Sequence, residues 1–316
     1  MKAVVVNAFD QAPIWADFTA PEAREGEVLV RPCAAAISQL VRAQAAGRHY
    51  SSGKSLPLVP GADGVGYLPD GQRVYFAFSR APVGAMADVV AVDAQQCVAV
   101  PAAVDDVTAA AIANPGMSSW VALTLRANFQ AGESVLINGA AGASGRLAIQ
   151  IARHLGAGRI VATARNPEHE AALTALGADA FIALDQPEEA LTDAFVDEIA
   201  ANGVDVVLDY LWGPSAGCLL NAIASETATA RFVNIGSMAG MTLPLSAGAL
   251  RSTNLVLMGS GLGSVSKAEL VEVVGQVLTA VEPAGLQVNA VAVPASQVAE
   301  AWQNTTMQRQ VLTFTG

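Results

Sequence analysis

Seven small residues, Gly139-Ala140-Ala141-Gly142-Ala143-Ser144-Gly145, follow the short apolar run Val135-Leu136-Ile137. After them come apolar residues at helical spacing, Leu147, Ile151 and Leu155, with Gly156 as a stop. Arg159-Ile160-Val161-Ala162 reads as a second strand, so Ser134–Ala164 predicts a βαβ unit with a tight first junction. Such a junction can bind phosphate. Gly142 lets backbone approach a pyrophosphate, Gly145 lets the helix pack closely on the strand, and the helix start offers unpaired N–H groups. Ala140 stands where the G-x-G-x-x-G pattern has its first glycine, so the glycines alone also fit an ordinary α/β turn. The strand before, the helix after and the second strand on time favour a dinucleotide.

The tip of the second strand discriminates between nicotinamide cofactors. NAD-binding units place Asp or Glu about 20 residues after the glycines to hold the ribose 2′-hydroxyl. Here the residues are Thr163-Ala164-Arg165-Asn166. A guanidinium can pair with a 2′-phosphate that a carboxylate would repel. The expected cofactor is therefore NADPH, against the plainer reading of Arg165 as a solvated surface charge.

The elements that must carry this turn are legible in outline. The chain has 316 residues, 53% hydrophobic and 14% charged, enough for two domains with a sizeable core. A net charge of −11 argues against an electrostatic nucleic-acid binder. Cys33, Cys97 and Cys218 are far apart, as are His49, His154 and His169, so neither a disulfide framework nor a thiolate zinc site is expected. The opening strand-like MKAVVVNAF is too short for a signal segment, and no run of about 18 apolar residues occurs. A cytoplasmic protein is the expectation.

Residues 1 to 110 read as β-rich: Lys2–Val6, Val28–Pro32, Val74–Phe76, Val89–Val92 and Cys97–Pro101, divided by Gly and Pro turns. A helix over Ser38–Ala46 has Ser38 as its cap and Gly47 as its stop. Thr108–Ala113 starts a helix expected to break at Asn114-Pro115-Gly116, with Ser118 or Ser119 capping the next. From Ser134 strand and helix alternate. Six strands, Val135–Ile137, Arg159–Thr163, Ala180–Ala183, Val204–Asp209, Arg231–Ile235 and Leu255–Gly259, predict a doubly wound parallel sheet. The tail reads as strand Val288–Val293, helix Ser296–Gln303 and strand Gln310–Phe314.

GEVLVRP, LPLVPGADGVG, VLINGAAGASG, ALTALGADAFI, GVDVVLDYLWG, FVNIGSMAG and QVLTFTG occur in this order along nearly the whole chain. The chain resembles the medium-chain dehydrogenase/reductases, in particular their zinc-free quinone oxidoreductase branch. The resemblance implies an α/β fold: a GroES-like β-barrel catalytic domain from residues 1–118, joined by the returning segment 264–316, and a Rossmann NADP-binding domain over 119–263. Zinc alcohol dehydrogenases of the superfamily have a cysteine at the place of Ile37 and Gly-His-Glu at Gly61-Ala62-Asp63. Zinc as a Lewis acid would lack these ligands here.

Matched residue by residue, the resemblance implies that Ala141, Gly142, Ala143, Ser144 and Gly145 hold the pyrophosphate. Arg165 and Asn166, with His169 one turn on, face the adenosine phosphate. Ser119 stands near the nicotinamide end, where the branch usually has Thr. Leu211, Ile235, Gly236, Ser237, Gly259 and Ser260 lie at strand ends facing the cofactor, and Arg309, in the place of a lysine near the end of many relatives, is expected to reach it. Each also reads as a turn residue, cap or surface charge. The chain departs from the branch at Ser38 (usually Asn), at Val41 (usually acidic) and at Trp212-Gly213 (usually Gly-Gly). Trp212 could narrow the mouth of the site, stack on substrate or sit in an interface.

Hydride transfer without a metal needs a hydrogen-bond donor at the developing oxyanion, then a proton. Tyr50 is the first catalytic candidate and Ser38 the second, with water and positioning alone as the alternative. The implied activity is NADPH-dependent reduction of a quinone. Reduction of α,β-unsaturated aldehydes, ketones or acyl thioesters uses the same geometry. A non-catalytic, crystallin-like NADPH-binding protein is the reading from another class. The apolar strand at residues 254–259 would lie at a sheet edge, where a second copy could pair to form a homodimer.

Overall fold

The structure, a computed structural model, describes residues 1–49, 52, 55–226, 228–304, 306 and 308–314. The chain divides into two units, one of Met1–Asn114, Lys267–Pro283 and Gln287–Gly316, the other of Pro115–Ser266 and Ala284–Leu286.

The first unit begins with β1 (Lys2–Val5) antiparallel to β2 (Ile14–Asp17). There follow β3 (Glu27–Ala36), α1 (Gln39–Ala45), β4 (Asp63–Tyr67), β5 (Arg73–Ala77), β6 (Val90–Asp93) and β7 (Cys97–Ala99). Ser38 caps α1, its Oγ accepting from Val41 N at 3.1 Å. β4 was not legible as a strand, because Asp-Gly-Val-Gly-Tyr has the composition of a turn. Its glycines serve close approach instead. A Cβ at Gly66 would stand 2.4 Å from Arg31 O on the neighbouring β3.

α2 (Asp106–Val121) runs unbroken through Pro115 and continues as a π-helical turn over Ala122–Arg126. This corrects the expected break. Ser118 and Ser119 do not cap a new helix; they lie inside α2 and donate back to Pro115 O (2.7 Å) and Gly116 O (3.1 Å). A proline costs about 3 kcal/mol inside a helix. Complete burial of Ala109–Ala113 before it and of Ala122 and Leu123 after it outweighs that cost.

The second unit alternates β8 (Ser134–Asn138), α3 (Ala143–His154), β9 (Arg159–Ala164), α4 (Glu170–Ala175), β10 (Ala180–Ala183), α5 (Glu188–Asn202) and β11 (Val206–Asp209). It continues with α6 (Gly213–Ser225), β12 (Arg231–Asn234), α7 (Ala247–Ser252) and β13 (Val256–Gly259). All six strands are parallel, in the order β10-β9-β8-β11-β12-β13. This is the doubly wound 3-2-1-4-5-6 arrangement, with its switch point between β8 and β11. Leu147, Ile149 and Ile151 of α3 are wholly buried, each contributing about 1.5–3 kcal/mol.

The chain then returns to the first unit through α8 (Lys267–Ala280), β14 (Ala290–Pro294), α9 (Val298–Gln303) and β15 (Arg309–Thr313). The larger sheet there has the order β14-β15-β3-β4-β5-β7, with β6 also on β3, and is antiparallel except for the β14–β15 pair. Its core includes Val30, Val74, Phe76, Met86, Val90 and Leu312.

Candidate functional site

In the second unit the C-terminal ends of β8, β9, β11, β12 and β13 carry most of the expected cofactor residues. The turn after β8 starts at Gly139, whose φ of +93° no L side chain adopts readily. Gly142 is the N-cap of α3 with no side-chain cap, leaving the first-turn amides open toward a ligand. A Cβ at Gly142 would meet nothing within 4 Å, whereas at Gly145 it would stand 2.5 Å from Ala140 Cα and 2.6 Å from Gly139 O. Gly145 is thus the close-packing glycine and Gly142 the open one. Ala141, Ala143 and Ser144 lie half-buried around it.

Beyond β9, Arg165 and Asn166 are exposed and His169 is half-buried. Arg165 makes no ion pair among the described residues. Asn166 caps a short turn, its Oδ1 accepting from Glu168 N at 3.0 Å. The residues present fit a 2′-phosphorylated dinucleotide: an uncapped helix start, an open glycine, and a free guanidinium where NAD-binding units carry a carboxylate.

A buried polar network ties the strand ends together. Thr163 Oγ accepts from Gly139 N (3.0 Å) and donates to Asn138 Oδ1 (3.0 Å). Asn138 Nδ2 donates to Asp209 Oδ1 (2.9 Å) and Ser215 Oγ (3.1 Å). Asp209 also accepts from Asn234 Nδ2 (2.9 Å) and from the backbone amides of Leu211 and Trp212 (both 3.1 Å). Burial pushes the Asp209 carboxyl up, and these donors hold the rise down. Sequence reasoning missed this network. Its only sign was a polar residue at or next to the end of each of these apolar strands: Asn138, Thr163, Asp209 and Asn234.

The network fixes the loops that follow. Leu211 packs against Gly139, where a Cβ would stand 2.8 Å from Leu211 Cγ. Trp212 occupies φ +56°, a glycine-type conformation, with Asp209 holding its amide. Its ring meets Phe232 edge-on at 6.3 Å in the core of the sheet. Ile235 and Gly236 are half-buried, and both donate their amides to Asp209 O. Ser237 and Gly259 are exposed, and Ser260 is buried, its amide on Asn234 O at 2.8 Å. Ser119 is wholly buried, while Ser118 beside it is partly exposed.

The remaining candidates belong to the first unit. Tyr50 lies outside the described residues. Ser38 is buried with its oxygen engaged as the α1 cap. Arg309 buries its Nε without a hydrogen-bond partner among the described residues, close to Asp63 and Tyr75. Asp63 accepts from Asn114 Nδ2 at 3.2 Å, and its second oxygen is unpartnered among the described residues. Burial raises this carboxyl to about 6, with Arg309, Tyr75 and Asn114 opposing. Among the described residues, no group of three His, Cys, Asp or Glu side chains could hold a metal ion, and no helix is long and apolar enough to cross a membrane.

Strand order and phosphate turn together define a dinucleotide-type Rossmann unit. A family profile described as zinc-binding dehydrogenase matches residues 143–279. A probable NADPH-dependent quinone reductase of Emericella nidulans is 26% identical over 96% of both chains. The chloroplastic NADPH-dependent alkenal/one oxidoreductase of Arabidopsis thaliana is 30% identical over 61% of this chain and 54% of its own. The quinone oxidoreductase of Thermus thermophilus, solved also in complex with NADPH, superposes with a TM-score of 0.80 and 27% identity over 99% of this chain and 100% of its own. These similarities support the medium-chain dehydrogenase/reductase superfamily, in its quinone oxidoreductase branch.

Proposed function

We propose that the protein is an NADPH-dependent, zinc-independent oxidoreductase that reduces a quinone. The observation that carries this reading is the pairing of an uncapped α3 start with an exposed Arg165, and no carboxylate, just past β9. It agrees with the cofactor named for the E. nidulans and T. thermophilus relatives. The donor set supports zinc independence, since Ile37 and Gly61-Ala62-Asp63 supply neither the cysteine nor the histidine that zinc would need.

In this reading the amides of Ala143, Ser144 and Gly145 bind the pyrophosphate and Arg165 the 2′-phosphate, with Asn166 and His169 alongside. Residues 1–118 and 264–316 form the catalytic domain. NADPH, when bound, supplies a hydride. The acceptor oxygen, as it gains negative charge, needs a donor, and Tyr50 and Ser38 are assigned to it. Reduction of enones is the second reading, favoured by the similarity to the Arabidopsis alkenal/one oxidoreductase. We also propose a homodimer through the edge at residues 254–259, where Val256 of β13 is 48% exposed.

Steady-state NADPH consumption with panels of quinones and enones tests the activity. Turnover on quinones above enones supports the lead reading and the reverse order supports the second. Stoichiometric binding without turnover on either class would overturn both.

A further inference from the structure

Arg126 closes the π-helical turn after α2, and the proposed function gives it no role. Its Nε donates to Gly259 O at 2.9 Å and its Nη1 to Ser264 O at 3.4 Å. One guanidinium thus joins the two ends of Gly259-Ser260-Gly261-Leu262-Gly263-Ser264, the turn in which β13 finishes. Among the described residues Arg126 forms no ion pair, so no carboxylate draws it elsewhere. The helical turn that presents it is widened, the Ala127 amide donating to Ala122 O, five residues back, at 2.8 Å. Such π turns recur at functional sites.

The turn needs such a clamp. Three glycines in six residues give up much backbone freedom on ordering. Packing does not order them, since Gly259, Gly261 and Gly263 are exposed and only Ser260 of the turn is buried. Hydrogen bonds do: Ser260 N to Asn234 O at 2.8 Å, Gly261 N to Ser264 Oγ at 2.8 Å, and the two from Arg126. A Cβ at Gly259 or Gly263 would meet nothing within 4 Å, and neither residue has a left-handed φ. Close packing and unusual backbone are therefore not what these two glycines supply. They leave room for a ligand against the main chain.

Ligands of a doubly wound sheet lie outside the carboxyl ends of its strands, one mononucleotide on each side of the switch point. Arg165 beyond β9 marks the adenosine half, and β11, β12 and β13 lie on the other side. We propose that Arg126 is a positioning residue for the nicotinamide half of the cofactor, its guanidinium fixing the turn at 259–264 before NADPH arrives. Order already present in the free protein need not be imposed on binding. This inference rests on the NADPH reading.

Half-cofactor probes test it. Calorimetry on the intact protein measures NADPH, reduced nicotinamide mononucleotide and 2′,5′-ADP with wild type, Arg126→Ala and Arg126→Lys. Arg126→Ala is expected to bind NADPH and the mononucleotide roughly tenfold more weakly, the scale of one lost hydrogen bond. Its affinity for 2′,5′-ADP should be unchanged. Arg126→Lys keeps a donor for the turn and should fall between. Hydrogen exchange gives a second readout. Amides at 259–264 should exchange faster in free Arg126→Ala than in free wild type, and saturating NADPH should narrow the gap. Unchanged NADPH affinity in Arg126→Ala, an equal loss for 2′,5′-ADP, or unchanged exchange over 259–264 would each overturn the inference. If Arg126→Ala does not fold, Arg126→Gln takes its place in the same comparison. Absence of NADPH and 2′,5′-ADP binding in wild type would instead overturn the NADPH reading itself.

Discussion

Truncating Asp209 to alanine tests whether the buried network, more than apolar packing, holds the strand-end loops. Four groups donate to this carboxylate: Asn138 Nδ2, Asn234 Nδ2 and the amides of Leu211 and Trp212. Two keep another acceptor after truncation, since Asn138 also bonds Ser215 Oγ and Asn234 also bonds Gly236 O. The two backbone amides do not. An orphaned buried donor costs about 1–3 kcal/mol, so two cost about 2–6. Relief of burying the carboxyl offsets part of this, leaving a loss of about 3 kcal/mol. Trp212 also loses the acceptor that fixes its φ of +56°. Urea unfolding of Asp209→Ala should give a lower midpoint at unchanged m-value, and NADPH titrated into the folded variant should bind more weakly. Asp209→Asn, which keeps one oxygen, should lie between. A stability within about 0.5 kcal/mol of wild type, the range of ordinary surface substitutions, with NADPH affinity intact, would refute the reasoning.

Asp63 gives a pH test. Its carboxyl sits at about 6 against an ordinary 3.8. The native state holds the proton more tightly, so stability falls as pH rises from about 4 to about 6 and levels above. At about 1.4 kcal/mol per pH unit the loss is about 3 kcal/mol. Asp63→Asn should lack it, so its stability relative to wild type should improve by that amount between pH 4 and pH 7; parallel profiles would contradict this. The two glycines of the phosphate turn should behave differently. Gly145→Ala forces a Cβ onto Ala140 and Gly139 backbone and should cost about 1–3 kcal/mol as well as NADPH affinity. Gly142→Ala meets open space and should keep its melting temperature while losing affinity. Val256→Lys should convert the proposed dimer to a monomer by light scattering, and an unchanged mass would exclude the β13 edge.

The elements legible in the sequence were those whose local pattern and tertiary role agree. Val135–Ile137 is apolar because it is buried on both faces, and Leu147 and Ile151 repeat at helical spacing because one face of α3 meets the sheet. Where the two conflicted, the reading failed. Pro115 signalled a break that burial of the flanking alanines overrides, and β4 looked like a turn because its glycines admit β3. Short β2 and α7 carry too few residues for periodicity to register. In the site, the glycines and Arg165 were readable because their chemistry is local. The roles of Asn138, Asp209 and Asn234 emerge only when parallel pairing brings residues about seventy and twenty-five positions apart into contact. Asp63 and Arg309 likewise meet only through the sheet order β15-β3-β4.

The central claim is that the strand ends of the second unit bind a 2′-phosphorylated dinucleotide through Arg165. Calorimetric titration of NADPH and NADH into the wild-type protein and Arg165→Ala tests it most directly. Wild type should bind NADPH more tightly than NADH, with the preference lost in the variant while NADH affinity is unchanged. Equal affinities for the two in wild type, or a preference that survives in Arg165→Ala, would contradict it.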